Sequence, residues 1–149
     1  MLTDVLIQFY DRDLAKLKSE IQQYSNEADL WKTSGEVTNS AGNLTLHLIG
    51  NLKHFIGAIL GDSGYVRDRD TEFSDSGVPR DLLLTGIDET AAVVKTTLSG
   101  LTDADLAKTY PLEVLGDVMT TEFFIVHLGA HLNYHLGQIN YHRRFVAAV

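Results

Sequence analysis

Apolar residues recur every three or four positions along four stretches of the chain, and this spacing is typical of helices with one buried face. The first stretch predicts a long helix over about residues 2–28, whose apolar stripe is Leu2, Leu6, Tyr10, Leu14, Leu17, Ile21 and Tyr24. The second stretch predicts a helix over about residues 42–60, whose stripe is Leu44, Leu48, Leu52, Phe55 and Ile59.

Two more helices are predicted in the second half of the chain. Pro79 suits the first turn of the third helix, because proline has no N–H to leave unpaired there. The stripe of this helix is Leu83, Ile87, Ala91, Val94 and Leu98. Thr120 or Thr121 is expected to cap the fourth helix, which runs to about Val146.

The segments between these stripes are rich in polar residues and glycine. The stretch 31–42 is interpreted as a connection, and the stretch 102–116 as a short excursion. The polar loop 61–77 is longer than a bundle usually needs, and such loops often border a functional opening. The pattern therefore predicts an all-α fold, a single four-helix-bundle domain over residues 1–149 with a long loop after its second helix.

Composition narrows the classes of function. Hydrophobic residues make up 44% of the chain and charged residues 21%, which is ordinary for a globular domain. The net charge of −8 disfavours nucleic acid as a partner, and no apolar run approaches the ~20 residues of a membrane span. The absence of cysteine excludes disulfides and cysteine-based zinc sites. The first residues lack the features of a secretory signal, so a cytoplasmic location is expected.

Histidines supply the candidate chemistry. His127, His131 and His135 recur every four residues in the predicted fourth helix, and His47 and His54 lie among leucines in the second. Imidazoles on inner stripes are costly to bury unless their ring nitrogens find partners, and a divalent cation is one such partner. The alternative is that these are ordinary core histidines with protein partners. The stripe of three histidines on the fourth helix, facing the histidines of the second helix, favours a metal ion.

Spacing alone leaves the metal-binding pair open. Histidines four residues apart on a helix can share one ion, whereas His127 and His135 lie about 12 Å apart along the axis at the helical rise of ~1.5 Å per residue. The pair is either His127 with His131 or His131 with His135. The acidic segment 68–72 is not a calcium loop, because Phe73 stands where such a loop requires glycine.

Two helical segments and one loop carry a resemblance to a known family. Residues 131–139 read HLNYHLGQI, which resembles the closing helix of the DinB-like superfamily, where H-x-x-x-H-x-G-Q recurs before Ile or Leu. Residues 43–51, NLTLHLIGN, are similar to the His-Leu segment of that family. Residues 64–73, GYVRDRDTEF, are similar to a subgroup with a charged loop at this place. The resemblance covers essentially the whole chain.

The resemblance implies a fold and a metal site. It implies a four-helix bundle of up-down-down-up topology, which holds one divalent ion, zinc or nickel, through His47, His131 and His135. It places His127 one turn away from the ion. Relatives in the superfamily include S-transferases that use bacillithiol or mycothiol, and many members form homodimers, so a thiol cosubstrate and a homodimer are expected here.

An ion with three histidine ligands keeps an open position for water or a thiol. The leading hypothesis is a thiol-dependent S-transferase or a hydrolase, and the alternative is a metal-stabilised binding or stress-response module without chemistry. Arg67 and Arg69 are expected either to grip a carboxylate on the thiol or to be solvated. Gly137 is expected to allow close helix packing. The candidates to orient the ligand imidazoles are Asn51, His54, His127, Tyr134 and Gln138.

Overall fold

The computed structural model describes residues 1–147, and this part of the chain is all-helical, as the apolar stripes predict. It contains six α-helices: α1 (Leu2–Gln22), α2 (Ala41–Leu52), α3 (Arg69–Ser74), α4 (Arg80–Ser99), α5 (Asp103–Ala107) and α6 (Thr121–Val146). A 3-10 helix covers Glu27–Trp31, and α2 continues as a π-helical segment over Lys53–Ala58. None of these helices is long and apolar enough to cross a membrane.

Side-chain caps explain two differences from the predicted helix bounds. The first helix ends at Gln22 instead of residue 28, and Asn26 then starts the separate 3-10 helix by accepting a hydrogen bond from the Ala28 N–H. The region 61–77 is not wholly a loop, because it contains α3, which Asp68 begins by accepting from the Thr71 N–H. Local capping of this kind competes with continuation of a longer helix.

The first helix packs between α4 and α6. Lys18 pairs with Asp88, and Lys95 pairs with Asp11, so α1 and α4 run antiparallel. By contrast, α1 and α6 run parallel, since the Tyr10 hydroxyl donates to the Ile125 carbonyl and residue 20 meets residue 140 further along.

The second helix also packs between α4 and α6. Lys53 pairs with Glu89, and Ile49 lies against Gly86, so α2 and α4 run parallel. Phe55 stacks edge-on against Phe124, whereas residue 47 meets residue 131, so α2 and α6 run antiparallel. The site described below lies where these two antiparallel helices face each other.

The four long helices share one buried apolar core, which matches the predicted stripes with few exceptions. On α6 the buried positions are Phe124, Ile125, Leu128, Leu132, Leu136 and Ile139. Burying each large apolar side chain contributes about 1.5–3 kcal/mol. Leu2 of the predicted first stripe is instead exposed. Trp31 packs on α2 at Gly42, where an added Cβ would lie 2.7 Å from the indole ring, so this connection is held closely against the helix.

Candidate metal centre

Three histidines from two antiparallel helices converge on one point. The His131 Nε2 atom on α6 lies 3.2 Å from His47 Nε2 on α2 and 3.1 Å from His135 Nε2 one turn along α6. One ligand atom from each of the three residues lies within 4.8 Å of the others. This group could hold a metal ion.

The helical positions explain why these histidines meet. His47 lies in the buried stripe of α2 between Leu44 and Leu48, and it faces α6. His131 and His135 are four residues apart and therefore present their rings on the same side of α6. His127 lies one turn earlier, where its ring stacks on Phe124 with the centroids 5.9 Å apart and the planes 11° from parallel. Of the two possible pairs on α6, the structure therefore groups His47 with His131 and His135.

Two acceptors hold the outer nitrogens of the cluster. The His47 Nδ1 atom lies 3.0 Å from Glu72 Oε1, and His135 Nδ1 lies 2.7 Å from Gln138 Oε1. If each Nδ1 carries the proton that these oxygens accept, each Nε2 presents a lone pair to the centre of the cluster. The Nδ1 atom of His131 is buried and has no hydrogen-bond partner within the described residues.

The donor set fits a divalent ion. If none of the three Nε2 atoms carries a proton, their inward lone pairs repel one another unless a cation lies between them. For a tetrahedral ion with Zn–N bonds of ~2.0–2.1 Å, neighbouring ligand nitrogens stand about 3.3–3.4 Å apart. The two close nitrogen pairs, at 3.1 and 3.2 Å, approach that separation. Among the described residues, the group contains three protein ligands, which leaves a position for an exogenous one.

Burial favours the neutral form of two of the three imidazoles, and the neutral form is the one that coordinates metals. Burial, followed by the neighbouring His135 and His47, lowers the pKa of His131 to about 4. Burial is also the main cause that lowers the pKa of His135, although its hydrogen bond with Gln138 opposes the change.

Arg67 has a different role from either one expected for it, whereas Arg69 is exposed, as one of the two expectations has it. Arg67 is neither solvated nor free to bind a cosubstrate, because its side chain is 10% exposed and pairs with Glu72, with Nε 2.8 Å from Oε2. Arg69 is exposed and lies over the Phe73 ring, 5.3 Å from its centroid. Sequence reasoning placed Glu72 only in the acidic segment and did not assign it to the site.

The remaining candidates differ in their surroundings. Tyr134 is exposed and meets the His135 ring edge-on at 5.3 Å. Asn51 is buried, and its Oδ1 atom has no partner among the described residues. His54 is half-buried beside Phe55, 4.7 Å between ring centroids, and burial lowers its pKa. The expectation for Gly137 is wrong, because a Cβ there would meet nothing within 4 Å and the residue is exposed.

A cavity adjoins the cluster on one side. Its volume is about 930 Å³, within the ~300–1,000 Å³ typical of small-molecule sites. His135 and Gln138 form part of its wall, together with the connection 32–39 and the last turns of α6. Tyr134, Tyr141 and Phe145 give this wall aromatic surface.

A family model described as "Protein of unknown function (DUF1572)" matches residues 4–148. The chain belongs to this family. The DUF1572 match spans both helices that carry the three histidines, together with Glu72 and Gln138. No curated protein matches the chain.

Proposed function

We propose that this DUF1572 protein is a DinB-like four-helix bundle of up-down-down-up topology, a single domain over residues 1–149. The support is the set of pairwise directions: α1 and α6 run one way, and α2 and α4 run the other. In chain order these directions give up, down, down and up. Residues 148 and 149 of this predicted domain lie outside the described part of the chain.

The function we propose is the binding of one divalent ion, zinc or nickel, by His47, His131 and His135. The observation that carries it is the convergence of three Nε2 atoms, two of them on imidazoles whose outer nitrogens face protein oxygens. Imidazole is a common ligand of both metals, and three protein ligands leave room for an exogenous fourth.

A thiol-dependent S-transferase is the activity we propose for this site. A bound divalent ion would favour the deprotonated form of a thiol or water placed beside it. The chain has no cysteine, so the thiolate would come from a low-molecular-weight cosubstrate. The neighbouring cavity, with aromatic side chains beside His135, would hold the electrophile within reach of that thiolate. Activated water would make the same site a hydrolase.

One observation favours the alternative, a metal-stabilised binding or stress-response module, over a hydrolase. Glu72, the buried carboxylate nearest the cluster, is already engaged by Arg67 and His47 and is not free to act as a general base. An S-transferase with a metal-held thiolate needs no such base, whereas a hydrolase benefits from one.

The test supplies the zinc or nickel protein with bacillithiol or mycothiol and a chromogenic aromatic electrophile. We expect loss of thiol that requires the ion and is abolished in His135→Ala. A Tyr141→Ala variant should raise KM for the electrophile while metal content stays unchanged. Tight binding of one ion without turnover of any thiol or water substrate would instead support the non-catalytic module.

A homodimer is also proposed, in keeping with the resemblance. The exposed apolar side chains on the parallel neighbours α1 and α6 include Val5, Phe9, Phe123 and Val126. Apolar patches of this kind often mark interfaces, and twofold dimers are the commonest oligomers. Sedimentation at tens of micromolar should give a dimer, and Phe9→Asp with Val126→Asp should give a monomer. A monomeric wild-type protein would contradict the proposal.

A further inference from the structure

Glu72 is a buried carboxylate at the back of the metal cluster. It lies on the short helix α3 and is 5% exposed. Its Oε1 atom lies 3.0 Å from His47 Nδ1 and 2.8 Å from Arg67 Nη2, while Oε2 lies 2.8 Å from Arg67 Nε. Glu72 therefore meets the histidine on the ring nitrogen that faces away from His131.

We propose that Glu72 is a positioning residue for His47. By accepting the Nδ1–H, it fixes the tautomer in which Nε2 carries the lone pair, and it holds the ring plane towards His131. A carboxylate behind a metal-binding imidazole fixes its orientation and raises its basicity. The inference rests on the proposed metal function, and it gives the segment 61–77 a specific role, because this segment delivers the carboxylate to α2.

Arg67 holds the Glu72 carboxylate in the orientation that faces His47. Its two-point pairing orients both carboxylate oxygens and balances their charge. The paired carboxylate presents its Oε1 atom to His47 Nδ1.

The backbone of α2 makes room for the carboxylate at Gly50. A Cβ at this position would overlap the Glu72 side chain, with its Cδ atom only 2.7 Å away. Glycine destabilises a helix interior relative to alanine, so its presence on the face that receives Glu72 needs a packing reason. The Asn43 side chain on α2 anchors α3 by donating to the backbone carbonyls of Glu72, at 3.0 Å, and Asp75, at 2.7 Å.

A purely structural role for Glu72, docking α3 onto α2, predicts a different outcome from a positioning role. In Glu72→Gln the amide offers one oxygen, for which Arg67 competes, so His47 loses its assured acceptor. In Gly50→Ala the carboxylate is displaced although every polar side chain of the site is retained. In Asn43→Ala the anchor of α3 is weakened, but Glu72 keeps its place beside His47. Asp70→Asn changes an exposed carboxylate on the same helix and serves as the matched control.

The experiment measures zinc affinity by competition with a chromogenic chelator and the His47 tautomer by 15N NMR of the metal-free protein. We expect Glu72→Gln and Gly50→Ala to lose about 10–100-fold in affinity and to shift His47 away from the Nδ1–H tautomer. Asp70→Asn and Asn43→Ala should keep both properties close to those of the wild type. Circular dichroism shows that each variant compared is folded.

Two results would overturn the positioning role. One is wild-type affinity and tautomer in folded Glu72→Gln. The other is an equal loss of affinity in Asn43→Ala with the tautomer unchanged, which would reduce Glu72 to a docking residue. A wild-type protein that binds no divalent ion would instead refute the proposed function, and the tautomer comparison would still decide whether Glu72 sets the ring of His47.

Discussion

The polar residues on the two sides of α6 differ in how completely they are hydrogen-bonded. On the side facing α1, polar side chains find partners on the neighbouring helix. Asn133 donates to Asp13 at 2.6 Å, and Asn140 and Arg143 donate to the two oxygens of Glu20 at 2.7 and 2.6 Å. Each of these carboxylates on α1 thus meets donors from α6, and the contacts tie the parallel helices together along their length.

The side facing α2 leaves polar atoms without partners. His131 Nδ1 is buried and makes no hydrogen bond with the described residues. Three Nε2 atoms also face one another there instead of facing acceptors. Buried polar groups in proteins are normally paired, so an unpaired and convergent set needs a specific reason. A metal ion supplies that reason for the three Nε2 atoms.

His142 shows what a structural histidine looks like on the same helix. Its Nδ1 atom lies 2.7 Å from the Tyr24 hydroxyl, and its Nε2 lies 2.8 Å from the Lys32 carbonyl oxygen. Protein groups therefore satisfy both nitrogens, and no place remains for an ion. His142 therefore has the contacts of a structural histidine, whereas His131 has those expected of a metal ligand. This contrast can be tested directly.

The largest effect is expected from removal of the histidine at the centre of the cluster. His131→Ala should abolish tight metal binding, because two imidazoles in an open pocket hold a divalent ion poorly. His142→Ala should keep close to one ion per chain, although it loses hydrogen bonds to Tyr24 and to the 31–42 connection. Metal content after purification without chelator measures both. Retention of the ion by His131→Ala would contradict the claim that the side of α6 facing α2 binds the metal.

A smaller effect is expected on the side facing α1. Asp13 is buried, and hydrogen bonds from Arg12 and Asn133 lower its pKa despite the opposing effect of burial. Asp13→Ala should reduce the free energy of unfolding by about 1.5–3 kcal/mol, the range for hydrogen bonds to charged groups. Zinc affinity should not change. The control Asp11→Ala removes an exposed ion pair, which contributes only about 0–1 kcal/mol.

The pH dependence of stability offers a third comparison. In the metal-free protein, His131 resists protonation until about pH 4, whereas the unfolded chain binds that proton near pH 6.5. The unfolded state thus holds more protons between these values, and stability should fall as the pH drops from 6.5 towards 4. Urea unfolding of metal-free wild type and His131→Ala should show a shallower dependence in the variant. Identical slopes would contradict the burial of a neutral His131.

Much of the fold could be predicted from local sequence, because the buried face of an amphipathic helix requires an apolar residue every three or four positions. The bounds were less predictable where a cap competes with the stripe, as Asn26 does after α1 and Asp68 does before α3. Leu2 fits the periodicity, yet it lies exposed at the end of its helix. Burial there depends on which neighbours cover the first turn, and a single helical pattern does not contain that information.

The site was predictable to the extent that its residues lie on helices. His131 follows from spacing on α6, because both possible pairs include it, and the resemblance added His135 and His47. Glu72 was missed because its contact with His47 joins a loop segment to a helix 25 residues away. The available signal was Gly50, a glycine inside a predicted helix, which indicates a close approach. The same reasoning fails at Gly137, where nothing approaches, so a glycine alone does not identify its neighbour.

The smallest effect is expected at His127, which tests how sharply the cluster is bounded. Its ring stacks on Phe124 and contributes no ligand atom to the group of three. His127→Ala should therefore change zinc affinity by less than the ~10–100-fold loss typical of a hydrogen-bonded residue behind a ligand. His135→Ala should lose tight binding under the same conditions. Zinc titration of the two variants at about pH 7.5, where free imidazole is mostly neutral, makes the comparison. If His127→Ala lost the ion and His135→Ala kept it, the metal would lie one helical turn earlier, and both Gln138 and the adjoining cavity would lose their connection to it.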